Sequence, residues 1–316
     1  MKKVAFIDTV HHVLQDGLSS NGFDCIDMSM LSRDEIIENI ADIEGVVIRS
    51  KFPLDKAFLL KAKNLKFIAR SGAGMENIDI NFCLHQKIEL FSAPEGNRNA
   101  VGEHALGMLL SLFNNLCKGN SEVRNGIWKR EENRGIELDG KTVGIIGFGN
   151  NGQAFAKKLQ GFDVEVLAYD KYKKGFGNNL VQEVGMQDIF DRADVMSLHI
   201  PQNKETINLI NSHFIEKFKK SFYLINLSRG KIVNSQSLAE GLESNKVLGA
   251  CLDVLEYEKS SFENLFDGYT KQPGALTYLL NCDQVLFSPH VGGWTRESYY
   301  KLSFVLLNKI LNSYNL

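Results

Sequence analysis

Short apolar runs alternate with stretches of helical spacing from the first residues of the chain. The runs are Val4–Ile7, Phe23–Ile26, Gly45–Ile48, Phe67–Ala69 and Ile88–Phe91. Each is brief and several are nearly continuous in hydrophobicity, as parallel strands covered on both faces should be. Between them, segments such as Asp34 to Ile40 and Leu54 to Ala62 space their apolar residues as helices do. This alternation predicts an open parallel sheet.

A long helix is predicted over Val101 to Leu116, with Ala105, Met108, Leu109, Leu112 and Leu116 apolar. Asn125 to Asp139 is polar and rich in turn formers, hence a loop. A second series of runs begins at Lys141: Val143–Ile146, Val164–Tyr169, Val195–Ile200, Phe222–Asn226, Val247–Leu252 and Val285–Ser288. Six strands with helices between them match a doubly wound fold. After His290 one more amphipathic helix, Glu297 to Leu311, ends the chain. The simplest assembly is two doubly wound α/β domains. Residues 1–98 with 291–316 form a flavodoxin-like one, and residues 99–290 form a Rossmann-type domain inserted into it.

Composition narrows the class. A chain of 316 residues exceeds a usual single core, which agrees with two domains. With 36 Lys and Arg against 38 Asp and Glu there is no electrostatic case for nucleic acid. The apolar run at Val4 stops at Asp8, too short for a signal-peptide core, and no stretch approaches a membrane span. Cys25, Cys83, Cys117, Cys251 and Cys282 are scattered without C-x-x-C spacing, so reduced thiols in a cytoplasm are expected, and no metal.

The first chemistry-bearing motif is TVGIIGFGNNG, Thr142 to Gly152. It is a strand, a G-x-G-x-x-G turn and the start of a helix. Gly147 permits the tight turn, Gly149 lets backbone approach a pyrophosphate, and Gly152 lets the helix pack on the strand. Asn150 and Asn151 occupy the helix start, where free N–H groups favour phosphate. The next strand ends in Asp170, an acid placed to bond the ribose hydroxyls and repel a 2′-phosphate. NAD is therefore the expected cofactor.

Three strand ends carry the remaining chemistry. Leu227-Ser228-Arg229-Gly230 presents a guanidinium that can grip a carboxylate with two bonds. Gly249 to Glu258 ends in Asp253, Glu256 and Glu258. Pro289-His290-Val291-Gly292-Gly293 presents a histidine. Each alone is as easily a surface arginine, a solvated acidic loop or a satisfied histidine. Together they supply what hydride transfer at an alcohol carbon needs: a base, a cation for the acid and its oxygen, and a partner for the base.

These motifs resemble the D-isomer-specific 2-hydroxyacid dehydrogenase family over essentially the whole chain. The resemblance implies a small 2-hydroxy or 2-oxo acid as substrate, with Arg229 on its carboxylate and C2 oxygen. It implies His290 as acid/base and, five residues after Asp253, Glu258 as its partner, a carboxylate that favours the imidazolium form. Asp253 would hold the nicotinamide carboxamide. Ile200 and Pro201, in an H-x-P segment after His199, would contact the cofactor, as would Leu227, Ser228 and Gly292. His104, inside the long helix, reads as structural. The loop from Arg70 through Gly72, Ala73 and Gly74 to Asp79 resembles the one that receives the substrate carboxylate on backbone N–H groups. Pro94 to Asn97 and Gly102-Glu103-His104 resemble the segment that enters the crossing helix.

Three departures stand out. Asn150-Asn151 replaces the usual Arg-Ile, Glu258-Lys259 replaces Glu-Pro, and Lys259 to Asn281 is long, with Phe262, Phe266, Tyr269 and Tyr278 suggesting a lid or a partner surface. Arg49 and Arg70 end neighbouring strands, and Trp128-Lys-Arg130 followed by Gly135 resembles phosphoglycerate dehydrogenases. The favoured substrate is therefore 3-phosphoglycerate. Glyoxylate, hydroxypyruvate, D-lactate and erythronate 4-phosphate are the alternatives, and from another class an NAD-sensing corepressor-like binding protein. Glu258 argues against a formate dehydrogenase. The resemblance further implies a homodimer through the cofactor domains. With the sequence ending at Leu316, an appended regulatory domain is not expected.

Overall fold

The computed structural model describes residues 2–258 and 273–316. Phe262, Phe266 and Tyr269, suggested above as a lid or partner surface, lie outside the described residues. Tyr278 lies in the Gly274–Leu280 helix. The described chain divides into two units, residues 2–98 with 294–316 and residues 99–258 with 273–293. Both are doubly wound α/β folds.

In the first unit, β1 (Lys2–Phe6), β2 (Phe23–Asp27), β3 (Gly45–Ile48), β4 (Phe67–Arg70) and β5 (Glu89–Ser92) form a parallel sheet ordered β2-β1-β3-β4-β5. Side chains alternate along β1. Ala5 and Ile7 join the core holding Ile36, Ile40 and Phe58. Val4 and Phe6 join the opposite core with Leu14 and Leu18. That second core is completed by Leu302, Leu306, Leu307 and Ile310 of the terminal helix, Arg296–Ser313. Thr295 caps this helix by accepting from the Ser298 amide. Each buried leucine contributes about 1.5–3 kcal/mol, so the last helix is an integral layer of this unit.

The second unit holds β6 (Thr142–Ile146), β7 (Glu165–Tyr169), β8 (Gln182–Glu183), β9 (Val195–Leu198), β10 (Phe222–Asn226), β11 (Val247–Leu252) and β12 (Val285–Phe287). Their order, β12-β11-β10-β9-β6-β7-β8, is parallel throughout and reverses between β6 and β9, where a crevice opens beyond the strand ends. Among the described residues the sheet has seven strands where six were expected. The extra one, β8, is a two-residue polar edge strand, too short and too hydrophilic to leave an apolar run.

The long helix also differs from expectation. It runs from Pro94 to Phe113, because proline is at home in a first helical turn. It stops at Asn114-Asn115, where Asn115 adopts φ +51°, and a separate helix follows over Leu116–Arg124. The boundary between the two units falls inside the Pro94–Phe113 helix. Its Val101, Ala105, Met108, Leu109 and Phe113 pack in the core of the second unit.

Candidate active site

At the end of β6, Gly147 turns the chain at φ +93°. A Cβ there would lie 2.4 Å from the His199 carbonyl oxygen, and one on Gly152 would lie 2.1 Å from the Gly147 carbonyl oxygen. Only glycine lets strand, turn and helix approach this closely. Gly149 is the N-cap of the Asn150–Lys158 helix and offers no side chain to its first amides. Asn150 and Asn151 form the first turn, and Asn151 Oδ1 is buried with no hydrogen-bond partner among the described residues.

Beside this turn is a cavity of about 460 Å³, lined by Gly147, Gly149, Asp170, Ile200 and Pro201 among others. Asp170 Oδ2 accepts from the Phe148 amide at 2.8 Å, and Oδ1 accepts from the Tyr172 and Lys173 amides, each at 2.9 Å. Burial alone would push its carboxyl pKa up. These three backbone bonds, with Lys173 nearby, outweigh that and hold it below the ordinary carboxylate range. One acceptor position of Oδ2 remains for a ribose hydroxyl. The neighbouring Lys171 is turned to Glu205, with Nζ 2.7 Å from Oε2, and the Tyr172 hydroxyl donates to the same oxygen at 2.7 Å. His199 packs against Phe155 and meets the Ser197 hydroxyl at 2.8 Å, and burial lowers its pKa to about 4. Uncapped amides, an acceptor carboxylate and the cavity between them fit a dinucleotide.

The three catalytic candidates follow the ends of the successive neighbouring strands β10, β11 and β12. Buried Asn226 closes β10: its Oδ1 accepts from the Ser228 amide and its Nδ2 donates to the Arg229 carbonyl. Ser228 Oγ donates to the Leu198 carbonyl at 2.6 Å, pinning the turn to β9. Arg229 Nη1 donates to the Ser228 carbonyl at 2.7 Å. The following Gly230 lies so close to the Leu255 carbonyl that a Cβ would stand 1.8 Å from its oxygen, which locks the arginine turn to the acid segment.

The acids divide their work. Glu256 Oε2 accepts from the Ser235 amide at 2.8 Å, at the start of the Ser235–Glu243 helix. Glu258 Oε2 lies 2.7 Å from His290 Nδ1, while its Oε1 accepts from the Leu255 amide. Asp253 is 2% exposed and fastens the histidine turn. Its Oδ1 accepts from the Val291 amide at 2.9 Å and the Ser288 hydroxyl at 2.5 Å, and its Oδ2 accepts from the Gly292 amide at 2.8 Å. Its carbonyl accepts from the His290 amide at 2.8 Å. The space beside Gly292 is filled by Asp253 Oδ2 and Leu227 Cδ2.

In the first unit, Arg49 and Arg70 follow or end adjacent strands, Ile48 pairing with Arg70 in the register. Asp8 Oδ2 collects the amides of Arg49, Ser50 and Lys51 at 2.7–3.0 Å. The Arg49 guanidinium sits 4.0 Å above the Trp294 ring. Arg70 folds back over Gly72, where a Cβ would meet its Nη1 at 1.5 Å. Among the described residues the amides of Ala73 and Gly74 make no hydrogen bond. Arg130 lies in the second unit and is exposed. The sequence reading missed Asp8, Trp294, Glu205 and Ser288. Only Asp8 left a local signal, as an acid directly after a buried strand.

Residues 106–292 match the family described as D-isomer specific 2-hydroxyacid dehydrogenase, NAD binding domain. A D-3-phosphoglycerate dehydrogenase of Archaeoglobus fulgidus is 33% identical over 312 residues, covering 98% of this chain and 57% of the relative. A hydroxypyruvate reductase of Thermotoga maritima is 32% identical over 280 residues, covering 89% of this chain and 88% of the relative. The solved structure of a D-2-hydroxyisocaproate dehydrogenase superposes with a TM-score of 0.84 at 25% identity, covering 99% of this chain and 96% of that one. With the family match spanning more than half the sequence and such relatives across nearly all of it, the chain belongs to the D-isomer-specific 2-hydroxyacid dehydrogenase family.

Proposed function

We propose that this protein is an NAD-dependent dehydrogenase of D-2-hydroxy acids that favours 3-phosphoglycerate. The observation that carries the reading is the 2.7 Å contact between His290 Nδ1 and Glu258, at a strand end that neighbours the one carrying Arg229. Gly147, Gly149, Gly152, Asn150 and Asn151 would hold the pyrophosphate, with Asp170 on the adenosine ribose and Ile200, Pro201, Leu227, Ser228 and Gly292 along the cofactor. The open acceptor position of Asp253 Oδ2 would take the nicotinamide carboxamide. When bound, NAD accepts the C2 hydride at its nicotinamide ring.

The chain's own residues handle the proton and the acid. Glu258 fixes the imidazole through Nδ1, so Nε2 is the atom that takes the substrate hydroxyl proton during oxidation and returns it during reduction. Arg229 steadies the carboxylate and the C2 oxygen as charge develops there. The product is the 2-oxo acid, with two electrons and one hydrogen nucleus on the cofactor and the other proton on His290. On this reading residues 1–98 with 291–316 are the substrate domain and 99–290 the cofactor domain.

The phosphate preference rests on Arg49 and Arg70 at adjacent strand ends and on the amides of Ala73 and Gly74, which make no hydrogen bond among the described residues, with Arg130 contributed across a homodimer. Trp128, 82% exposed beside Arg130, supports an interface there. The second reading is a hydroxypyruvate reductase, favoured by the Thermotoga relative that the chain covers nearly end to end. NAD-linked oxidation of D-glycerate, 3-phosphoglycerate and D-lactate separates them. The proposal expects 3-phosphoglycerate to lead in kcat/KM by at least about 10²-fold, and equal use of D-glycerate would overturn it.

A further inference from the structure

His290 adopts φ +54°, a left-handed conformation that costs a non-glycine residue about 1–2 kcal/mol. Such a conformation persists only where its surroundings over-determine it. Here the restraint is Asp253, which receives the amides of His290, Val291 and Gly292 on its carbonyl and carboxylate. A carboxylate this deeply buried must itself be stabilised.

That support comes from behind, from the Pro94–Phe113 helix. Ser288 Oγ lies 2.5 Å from Asp253 Oδ1, and His104 Nε2 lies 2.8 Å from Ser288 Oγ and 3.6 Å from Asp253 Oδ1. A serine hydroxyl has one proton. The contact to Met108 Sδ, at 3.5 Å, is a weak alternative for it, and the carboxylate takes it. The hydroxyl can therefore meet His104 only as acceptor, and Nε2 must carry hydrogen.

We propose that His104 is a positioning residue for His290, acting through Ser288 and Asp253. The chain runs His104 Nε2–H to Ser288 Oγ, Ser288 Oγ–H to the Asp253 carboxylate, and that carboxylate to the turn that aims the imidazole. The proposal rests on the reading of His290 as the group that exchanges the substrate proton. A misaimed donor weakens only the transition state, so kcat and kcat/KM fall together and KM holds.

The test uses the full chain with NADH and its best 2-oxo acid. His104→Leu should lower kcat about tenfold to a hundredfold, with KM for the 2-oxo acid within about twofold of wild type and any rise in the dissociation constant for NADH, felt through Asp253, smaller than the fall in kcat. His104→Gln, whose amide N–H can replace Nε2–H, should recover most of the loss. Ser288→Ala should lower kcat similarly, and the double variant should be no worse than the worse single, because the two act in series. The isotope effect with 4-deuterated NADH should rise in the impaired variants. Full kcat in His104→Leu, or losses that multiply in the double variant, would overturn the proposal. An arm independent of turnover is ring ¹⁵N NMR of the wild-type protein: His104 must carry a proton on Nε2, and the tautomer protonated on Nδ1 alone would overturn it. A wild type that reduces no 2-oxo acid would instead defeat the dehydrogenase reading and leave this NMR result to decide the contact.

Discussion

Asp170 should decide cofactor choice, and its contacts set the size of the effect. Three of its four acceptor positions are taken by the amides of Phe148, Tyr172 and Lys173, which keep it ionised and fixed. The fourth can accept a ribose hydroxyl, a bond to a charged group worth about 1.5–3 kcal/mol. NADPH loses that bond and brings a phosphate of about −1.5 to −2 charge against the carboxylate. At about 4 Å each unit of charge costs roughly 1 kcal/mol in water and more in a half-buried site. Discrimination against NADPH should reach at least about 3 kcal/mol, or more than 10²-fold in dissociation constant. Of the cations beside it, Lys171 is held by Glu205, and Lys173 and Lys174 reach the Phe148 and Asp170 carbonyls at 3.4 Å. Fluorescence titration with both reduced cofactors measures the ratio directly. Asp170→Ala should weaken NADH about tenfold and bring the ratio within about tenfold, with some loss of stability as the three amides lose their acceptor. NADPH binding to wild type within threefold of NADH would refute the reasoning.

Other expectations follow from the same structure. Arg70→Ala should erase most of any preference for a phosphorylated over an unphosphorylated acid, about 10- to 150-fold in kcat/KM, because a charge-assisted contact of that size is lost; an unchanged ratio would remove Arg70 from the phosphate site. Burial holds the His199 pKa at about 4 against an ordinary 6.5. As pH falls below 6.5 the unfolded chain takes up a proton that the folded chain refuses, so stability drops between pH 6.5 and 4. His199→Gln should therefore lose roughly 2–3 kcal/mol less than wild type between pH 7 and 4.5 by urea unfolding, and parallel losses would contradict this. Leu306→Ala, in the fully buried face of the terminal helix, should cost about 2–5 kcal/mol by the same method; a loss below 1 kcal/mol would show that the helix is not an integral layer.

Much of the fold was legible because parallel strands are buried on both faces. The ranges of β3, β10 and β11 coincide with continuous apolar runs. Where burial is one-sided or the element is short, the pattern failed: β8 is Gln-Glu, and the break at Asn115 depends on a backbone angle. The site was legible as far as chemistry clusters at strand ends. The fingerprint glycines, Asp170, Arg229 and His290 stand out by residue type and spacing, whereas the choice of Glu258 over Glu256 came from the family resemblance. Residues that act by long-range contact do not. His104 reads as an ordinary helix residue because its partner Ser288 is 184 positions away. Trp294 gives no hint that it stacks on Arg49. Asp253 was legible as an acid at a strand end, but its hold on the Val291 and Gly292 amides exists only once β11 and β12 are side by side.

The central claim is that His290, held by Glu258, exchanges the proton while a hydride moves to or from a 2-oxo acid's C2. The most direct measurement is single-turnover reduction by NADH, with chiral analysis of the product, for wild type and His290→Gln. The account predicts the D-hydroxy acid from wild type and a rate at least about 10²-fold lower for His290→Gln at nearly unchanged NADH affinity. An L product, or a His290→Gln rate within a few-fold of wild type, would contradict it.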